Sequence, residues 1–572
     1  MMEKSRKSNL EIGLYALAFA LGLLIRLLRL GEHSPGDAEA TLALQALAWV
    51  RGMRPALGDQ PAYVILTGLV FFIMQAGNFA ARLVPALFGS AVVLLPSQFR
   101  DLLGKKAALV LSFLLVFDPA FLFFSRQAGS AMIAVGALLF ALGAWRNQRI
   151  RMAGILLGVA LLSGPGLWPG IIGLAAGYGL MRGLFAGDLP DDINIFWPDT
   201  AEKKMWLAMA GYAIGTYLLL GSFFLLFPGG LGAGLASLPA YFGGWMTGSG
   251  VPVLRLMQAL IFYELMALLI SIFGLIRGIL QRDGLTIFLG LWLACALVLA
   301  LAYPSRQVQD LIWAVIPLLV LSAREISIHL AGINDGVMET AGMAVFTAAI
   351  LVFAFINYSA LAQVSADQSV MQLRLGMALG AVGLLVVSII MVAMGWSIAA
   401  AVQGSFLGFL AVFSVYTFAT SMAAGRLRAY PTTELWSSDA DIATVKPLIQ
   451  QLNEISRWKK GLNDSLDVTI AGVDSPALLW ALRDWQVQQT ADEKFAGDTP
   501  EVVIAPAQSA NSDLQSGYRG QDFSWRAYPS WDFGVPLEWL EWSYLHGFAS
   551  EQETLILWVR SDLFLDMQNS QQ

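Results

Sequence analysis

The sequence predicts an α-helical polytopic membrane protein with a small α/β domain at its C-terminal end. Three observations carry this. Of the 572 residues, 57% are hydrophobic and only 13% are charged, whereas soluble domains carry about 25% charged residues. Apolar stretches long enough to span a bilayer recur up to Thr420. They need roughly twenty residues each. The remaining tail is polar and has the short apolar runs of strands. The formal net charge is -6, with much of the acidic excess in the tail, so no nucleic-acid footprint is present. Cys295 is the single cysteine, and His33, His329 and His546 are scattered. A disulfide framework within the chain is therefore excluded, and a multi-His metal site is disfavoured.

The N-terminus carries Lys4, Arg6 and Lys7 before the first apolar stretch. Arg26 and Arg29 at its end, without a small-residue cleavage site, argue for an uncleaved span. A first outer loop (31–78) follows. Within it Ala62–Met74 is apolar but only about thirteen residues long, short of a full crossing. Lys and Arg decide its placement. If it does not cross, then Arg100, Lys105, Lys106, Arg146, Arg149, Arg151, Arg182, Lys203, Lys204, Arg277 and Arg282 all fall in the cytoplasm. If it crosses, all fall outside. It is therefore expected as a juxtamembrane or re-entrant segment.

Further spans are expected at Asn78–Gln98, Ala107–Phe124, Ala131–Trp145, Ala153–Gly166, Trp168–Phe185 and Met205–Phe227. An outer loop rich in Gly and Pro (228–256) comes next. Then follow Met257–Ile276, Leu285–Ala302, Val308–Ala323, Ala341–Tyr358, Leu373–Met394 and Ser397–Thr420. The total is about thirteen spans, N-terminus in and C-terminus out. The membrane part covers 1–423 and the extracytoplasmic α/β domain 424–572. In the tail, strands are expected at Leu466–Ala471, Glu501–Ala505 and Thr554–Val559, with a helix at Pro476–Val487.

Asp37 and Glu39 open an amphipathic stretch, Ala40–Arg51, that suits a helix lying at the interface. Two readings of these carboxylates stand side by side. They cap that helix, or they serve as a general base or metal ligands at the membrane surface. His33 beside them extends the set to a candidate divalent-cation site. Arg126 emerges at the outer face, against the positive-inside tendency. It either snorkels to water or binds a phosphate. Arg82 and Arg306 are further outward cations. Asp118, about two turns deeper than Arg126, and Glu264 are ionisable groups within apolar spans, and therefore functional candidates.

These residues resemble a family. A carboxylate pair in the first outer loop, juxtamembrane helices, the string Ala80–Gly89 and the Pro119–Arg126 segment are similar to GT-C membrane glycosyltransferases. The likeness is to the branch of protein O-mannosyltransferases, aminoarabinose lipid A transferases and their bacterial relatives. It covers residues 10–320 well and the later spans loosely. Leu478–Asp484 and Leu557–Asp562 look like tails of some bacterial members. The resemblance implies transfer of a sugar from a polyprenyl-phosphate donor to an acceptor at the outer face of the cytoplasmic membrane. It implies that Asp37 or Glu39 is catalytic, with Arg126, Arg306 and Arg82 on the carrier phosphate. Such members carry adjacent Asp-Glu; here Ala38 stands where that Asp is expected. Two other readings remain: a lipid-linked sugar flippase, and a non-catalytic relative whose outer domain binds a partner protein.

Overall fold

The computed structural model describes residues 2–184, 203–248, 250–331, 336–363, 368–428, 433–437, 439–443, 445–491, 499–508, 514, 517–529, 542–543, 546 and 550–564. Each of the expected spans falls mainly on helix, although the helices end at Leu161 and Gly221, short of the expected Gly166 and Phe227, and Phe185, the expected end of another, lies outside the described residues. Among the described residues, by length and composition, 7 helices can cross a membrane, or up to 9 if each bent pair is one span. That is fewer than expected. The shortfall has a physical origin in breaks and short helices. Asp118 and Pro119 bend one span by 56°, because proline lacks the amide that would continue the hydrogen-bond ladder. A second span bends by 84° at Glu264. Ala131–Arg146 and Ile150–Leu161 are short apolar helices.

Pro61–Met74 forms a 14-residue helix. At 1.5 Å per residue it is about 21 Å long, short of the ~30 Å hydrocarbon core. The Gly/Pro-rich segment after Phe227 was expected as a loop, yet Gly229–Gly243 is helical. Gly230, Gly234, Ser237 and Tyr241 are its buried residues, and this small-residue face lets neighbouring backbones approach closely. Helices Val337–Gln363, Gln368–Gly395 and Ile398–Ala424 form a peripheral group. Only 6% of the apolar window of Gln368–Gly395 is buried, as expected where lipid is the solvent.

The tail folds into a six-stranded mixed sheet: β1 (Asp441–Ile442), β2 (Asp467–Ala471), β3 (Gln486–Thr490), β4 (Val502–Pro506), β5 (Tyr518–Pro529) and β6 (Ser550–Arg560), in the order β1-β5-β6-β4-β2-β3. β2 pairs in parallel with β3 and β4; the remaining pairs are antiparallel. The amphipathic helix Val445–Lys460 buries Leu448, Leu452 and Ile455. The helix expected over Pro476–Val487 ends at Ala481, and its last residues become β3, an edge strand.

One apolar core joins this sheet to the first loop. It runs from Ala43, Tyr63 and Ile65 to Ile470, Ile504, Trp525 and Leu557. Trp480 stacks on Phe71 at 5.8 Å and donates through Nε1 to Asn78 at 2.8 Å. The chain between the last helix and the sheet is equally buried. Leu435 and Trp436 are 0% and 1% exposed. Trp436 packs on Phe124 and Tyr263. The Tyr263 hydroxyl donates to Glu434 and accepts from the Leu435 amide. Residues 434–437 and 439–442 thus form a strap threaded into the top of the bundle.

Candidate active site

Several turns meet at one cavity of about 360 Å³. Its walls come from the first loop (Ser34, Gly36, Ala38, Glu39), from Asp59 and Gln60, and from the turns around Gln127, Pro165 and Gln307. The strap contributes Trp436, Asp439 and Asp441. These are the turns that charge counting assigned to one side. The helices that leave the cavity at Ala131, Gly166 and Tyr303 have Arg146, Arg182 and Gly284 at their far ends. Five carboxylates line the cavity, Glu39, Asp59, Asp310, Asp439 and Asp441, with Arg426 among them. Tyr241, Tyr303, Trp313 and Trp436 add aromatic faces.

Gly36 is the N-cap of helix Asp37–Val50, placing Asp37 first and Glu39 third in its first turn. Glu39 reaches back to the Gly36 amide at 3.3 Å, the carboxylate half of a capping box, which glycine, having no side chain, cannot complete. Its carboxylate also accepts from Arg82 Nε at 2.9 Å, Arg82 Nη2 at 2.6 Å and the Ala128 amide at 2.6 Å. Burial alone would raise its pKa. The Arg82 charge and these hydrogen bonds outweigh burial and hold it below the usual carboxylate range. Arg82 also donates to the carbonyls of Leu30 and His33 at 3.3 and 2.8 Å. The pair therefore folds the loop onto the next span.

Asp37 faces the other way. One oxygen accepts from Ser475 Oγ at 2.8 Å and the Ala477 amide at 2.9 Å; the other accepts from Arg526 Nε at 2.8 Å. It pins the C-terminal sheet to the first loop. The sequence-nominated carboxylates thus share one helix turn but serve different partners.

Arg82 and Arg126 do converge, around His33, together with Arg426. Arg126 Nη1 donates to the carbonyls of Ile25, Arg26 and Leu28 at 2.9, 2.9 and 2.8 Å, satisfying acceptors left open at a helix end. Burial, then the charges of Arg426 and Arg82, lower the pKa of His33. Arg306 lies on the cavity-rim turn but donates through Nη1 to the Val251 carbonyl at 3.1 Å. Asp118 and Glu264 are each 2% exposed and face one another at the two helix breaks, away from the residues that line the cavity. Among the described residues no group of three or more His, Cys, Asp or Glu side chains is placed to hold a metal ion. Asp37, Glu39 and His33 each turn to different neighbours.

Five charged cavity groups were not singled out from sequence: Asp59, Asp310, Arg426, Asp439 and Asp441. Arg426 follows the last apolar helix at a φ of +54°, which turns the chain into the strap. It pairs with Asp441, whose charge raises its pKa. Asp310 accepts from the Gln307 amide at 2.9 Å. Asp439 accepts from the Ala38 amide at 2.9 Å.

Bundle and docked sheet together form the fold of a polytopic, mostly helical membrane protein with a small C-terminal sheet. Two solved structures are similar over nearly the whole chain. ArnT from Cupriavidus metallidurans bound to undecaprenyl phosphate matches with a TM-score of 0.53 and 13% identity, over 95% of this chain and 98% of that one. The apo state of the same protein matches with 0.52 and 14%, over 96% and 98%. No family model matches the sequence, and no curated protein matches it.

Proposed function

We propose that this protein takes a sugar from a polyprenyl-phosphate carrier and transfers it, with inversion, to an acceptor at the outer face of the cytoplasmic membrane. The observation that carries this reading is the cavity shared by the first loop and the strap, in a fold similar to a protein solved with undecaprenyl phosphate bound. Arg146 and Arg182 lie in the last turns of helices that leave the cavity, and the lysines and arginines of the short loops counted from the sequence are assigned to that same side, so the positive-inside rule supports an outward cavity. The same rule supports about thirteen crossings, with the C-terminal sheet outside. Aromatic faces beside carboxylates suit a sugar, which offers apolar ring faces and hydroxyl donors.

Arg426 is the cation best sited for the carrier phosphate, the leaving group. Arg82, Arg126 and Arg306 brace the surrounding wall through the contacts described above. Glu39 and Asp37 shape the same wall: Glu39 fixes the loop against Arg82, and Asp37 locks the sheet over it. A positioned carboxylate then receives the acceptor proton, for a gain of about 10²–10⁴-fold.

The test uses purified full-length protein in vesicles. It is supplied with undecaprenyl-phosphate-linked sugars extracted from bacterial membranes and with a membrane extract as acceptor source. Release of undecaprenyl phosphate with label appearing in an acceptor is expected. Movement of intact lipid-linked sugar across the bilayer without phosphate release would replace this reading with a flippase.

A further inference from the structure

Glu39 accepts from Arg82 and from two backbone amides. Asp441 pairs with Arg426, and Asp310 is held by the Gln307 amide in its own capping box. Asp439 differs from these three, and from Asp59, the fifth cavity carboxylate, in lying on the strap with one oxygen fixed by a backbone amide of the first loop. Its Oδ2 is steadied by the Ala38 amide at 2.9 Å, and among the described residues its Oδ1 accepts no hydrogen bond. The first loop is pared down around it. A Cβ built on Gly36 would lie 3.1 Å from Asp439 Oδ2 and 3.2 Å from its Cβ, and position 38 carries only a methyl group. The strap fixes its other side: Arg255 donates to the carbonyls of Leu435 and Ser437, and the Ser437 hydroxyl donates to the Asp439 carbonyl at 3.1 Å.

We propose that Asp439, supplied by the strap that leads into the C-terminal sheet, is the group that deprotonates the acceptor hydroxyl. This rests on the transferase reading above. As the acceptor oxygen forms its bond to the anomeric carbon, its proton passes to Asp439 Oδ1. The bond from that carbon to the phosphate oxygen breaks, and its electron pair leaves with polyprenyl phosphate. Burial is the main influence on the free acid, and the negative charges of Glu39 and Asp37 act the same way. They raise its pKa against the opposing Ala38 amide and Arg426, which strengthens it as a base. The C-terminal domain is then part of the catalytic centre, since its leading segment carries the base.

The experiment compares wild type, D439N, D439E and D439A in the vesicle assay, with thermal unfolding in detergent to confirm folding. D439N should lose about 10²–10⁴-fold in kcat, with little change in KM for the lipid-linked donor. D439E should recover part of the rate. Azide is a nucleophile that carries no proton to remove, so it should restore donor cleavage to D439A and yield a glycosyl azide. A folded D439N protein that transfers at the wild-type rate overturns the assignment alone. So does a D439A protein whose loss azide leaves unchanged. A wild-type protein that releases no phosphate overturns the transferase reading with it.

Discussion

The two ends of the bundle use charge differently. At the basic end, two ion pairs face solvent: Arg146 meets Asp101 at 2.7 Å with the carboxylate side chain 62% exposed, and Arg324 meets Asp283 at 2.7 Å with 34% exposure; only the Glu325 carboxylate, paired with Arg277, is buried among the described pairs there. At the cavity end, Arg82 and Glu39 are 6% and 11% exposed. Asp37 there joins segments more than 400 residues apart in sequence. Exposed pairs contribute about 0–1 kcal/mol. Removing one partner of a buried pair costs about 3–5 kcal/mol, because the other charge is left without compensation. The solvent-facing pairs therefore contribute little to stability, whereas the buried pair at the cavity end fixes the shape of a site.

This contrast is open to direct attack. R82A should have the largest effect, a loss of about 3–5 kcal/mol, read as a fall in the unfolding midpoint in detergent together with loss of transfer. D37A should cost less, about 1–3 kcal/mol for a partly buried hydrogen-bonded charge. Limited proteolysis should then release the sheet faster than it cuts the bundle; equal cutting of both would show that Asp37 does not hold the domain. Acid should act through Glu39. Its folded pKa is depressed, so its stabilisation is present above its unfolded pKa of about 4.3 and is lost as pH falls through the folded value. Below about pH 4 the wild type should lose stability more steeply than R82A, in which that depression is gone. D101N at the basic end should move the midpoint least, by less than about 1 kcal/mol. A D101N loss as large as that of R82A would erase the distinction between the ends.

The sequence made the membrane class, the shortness of the apolar Ala62–Met74 segment and the resemblance to GT-C enzymes legible, because hydropathy and segment length are properties of single segments. It also put Asp37 and Glu39 at the start of a helix. Their partners were hidden. Ser475, Arg526 and Ala128 reach them only through the docking of remote segments. Asp439 sits in a Ser-Ser-Asp-Ala-Asp run that reads as a solvated linker, and only burial of Leu435 and Trp436 turns that linker into a strap. Gly229–Gly243 was misread because glycine content signals a loop in water, whereas between helices it signals close packing. Strand β5 was missed because its inward residues, Phe523 and Trp525, are set among charged ones.

The central claim is that the carrier phosphate is handled in the cavity between the first loop and the strap. A structure of the full-length protein determined with undecaprenyl phosphate tests it most directly. The account predicts the phosphate within hydrogen-bonding reach of Arg426, with Glu39 and Asp439 on the adjoining walls. A phosphate bound at the basic end of the bundle, beside Arg146 or Arg324, would contradict it.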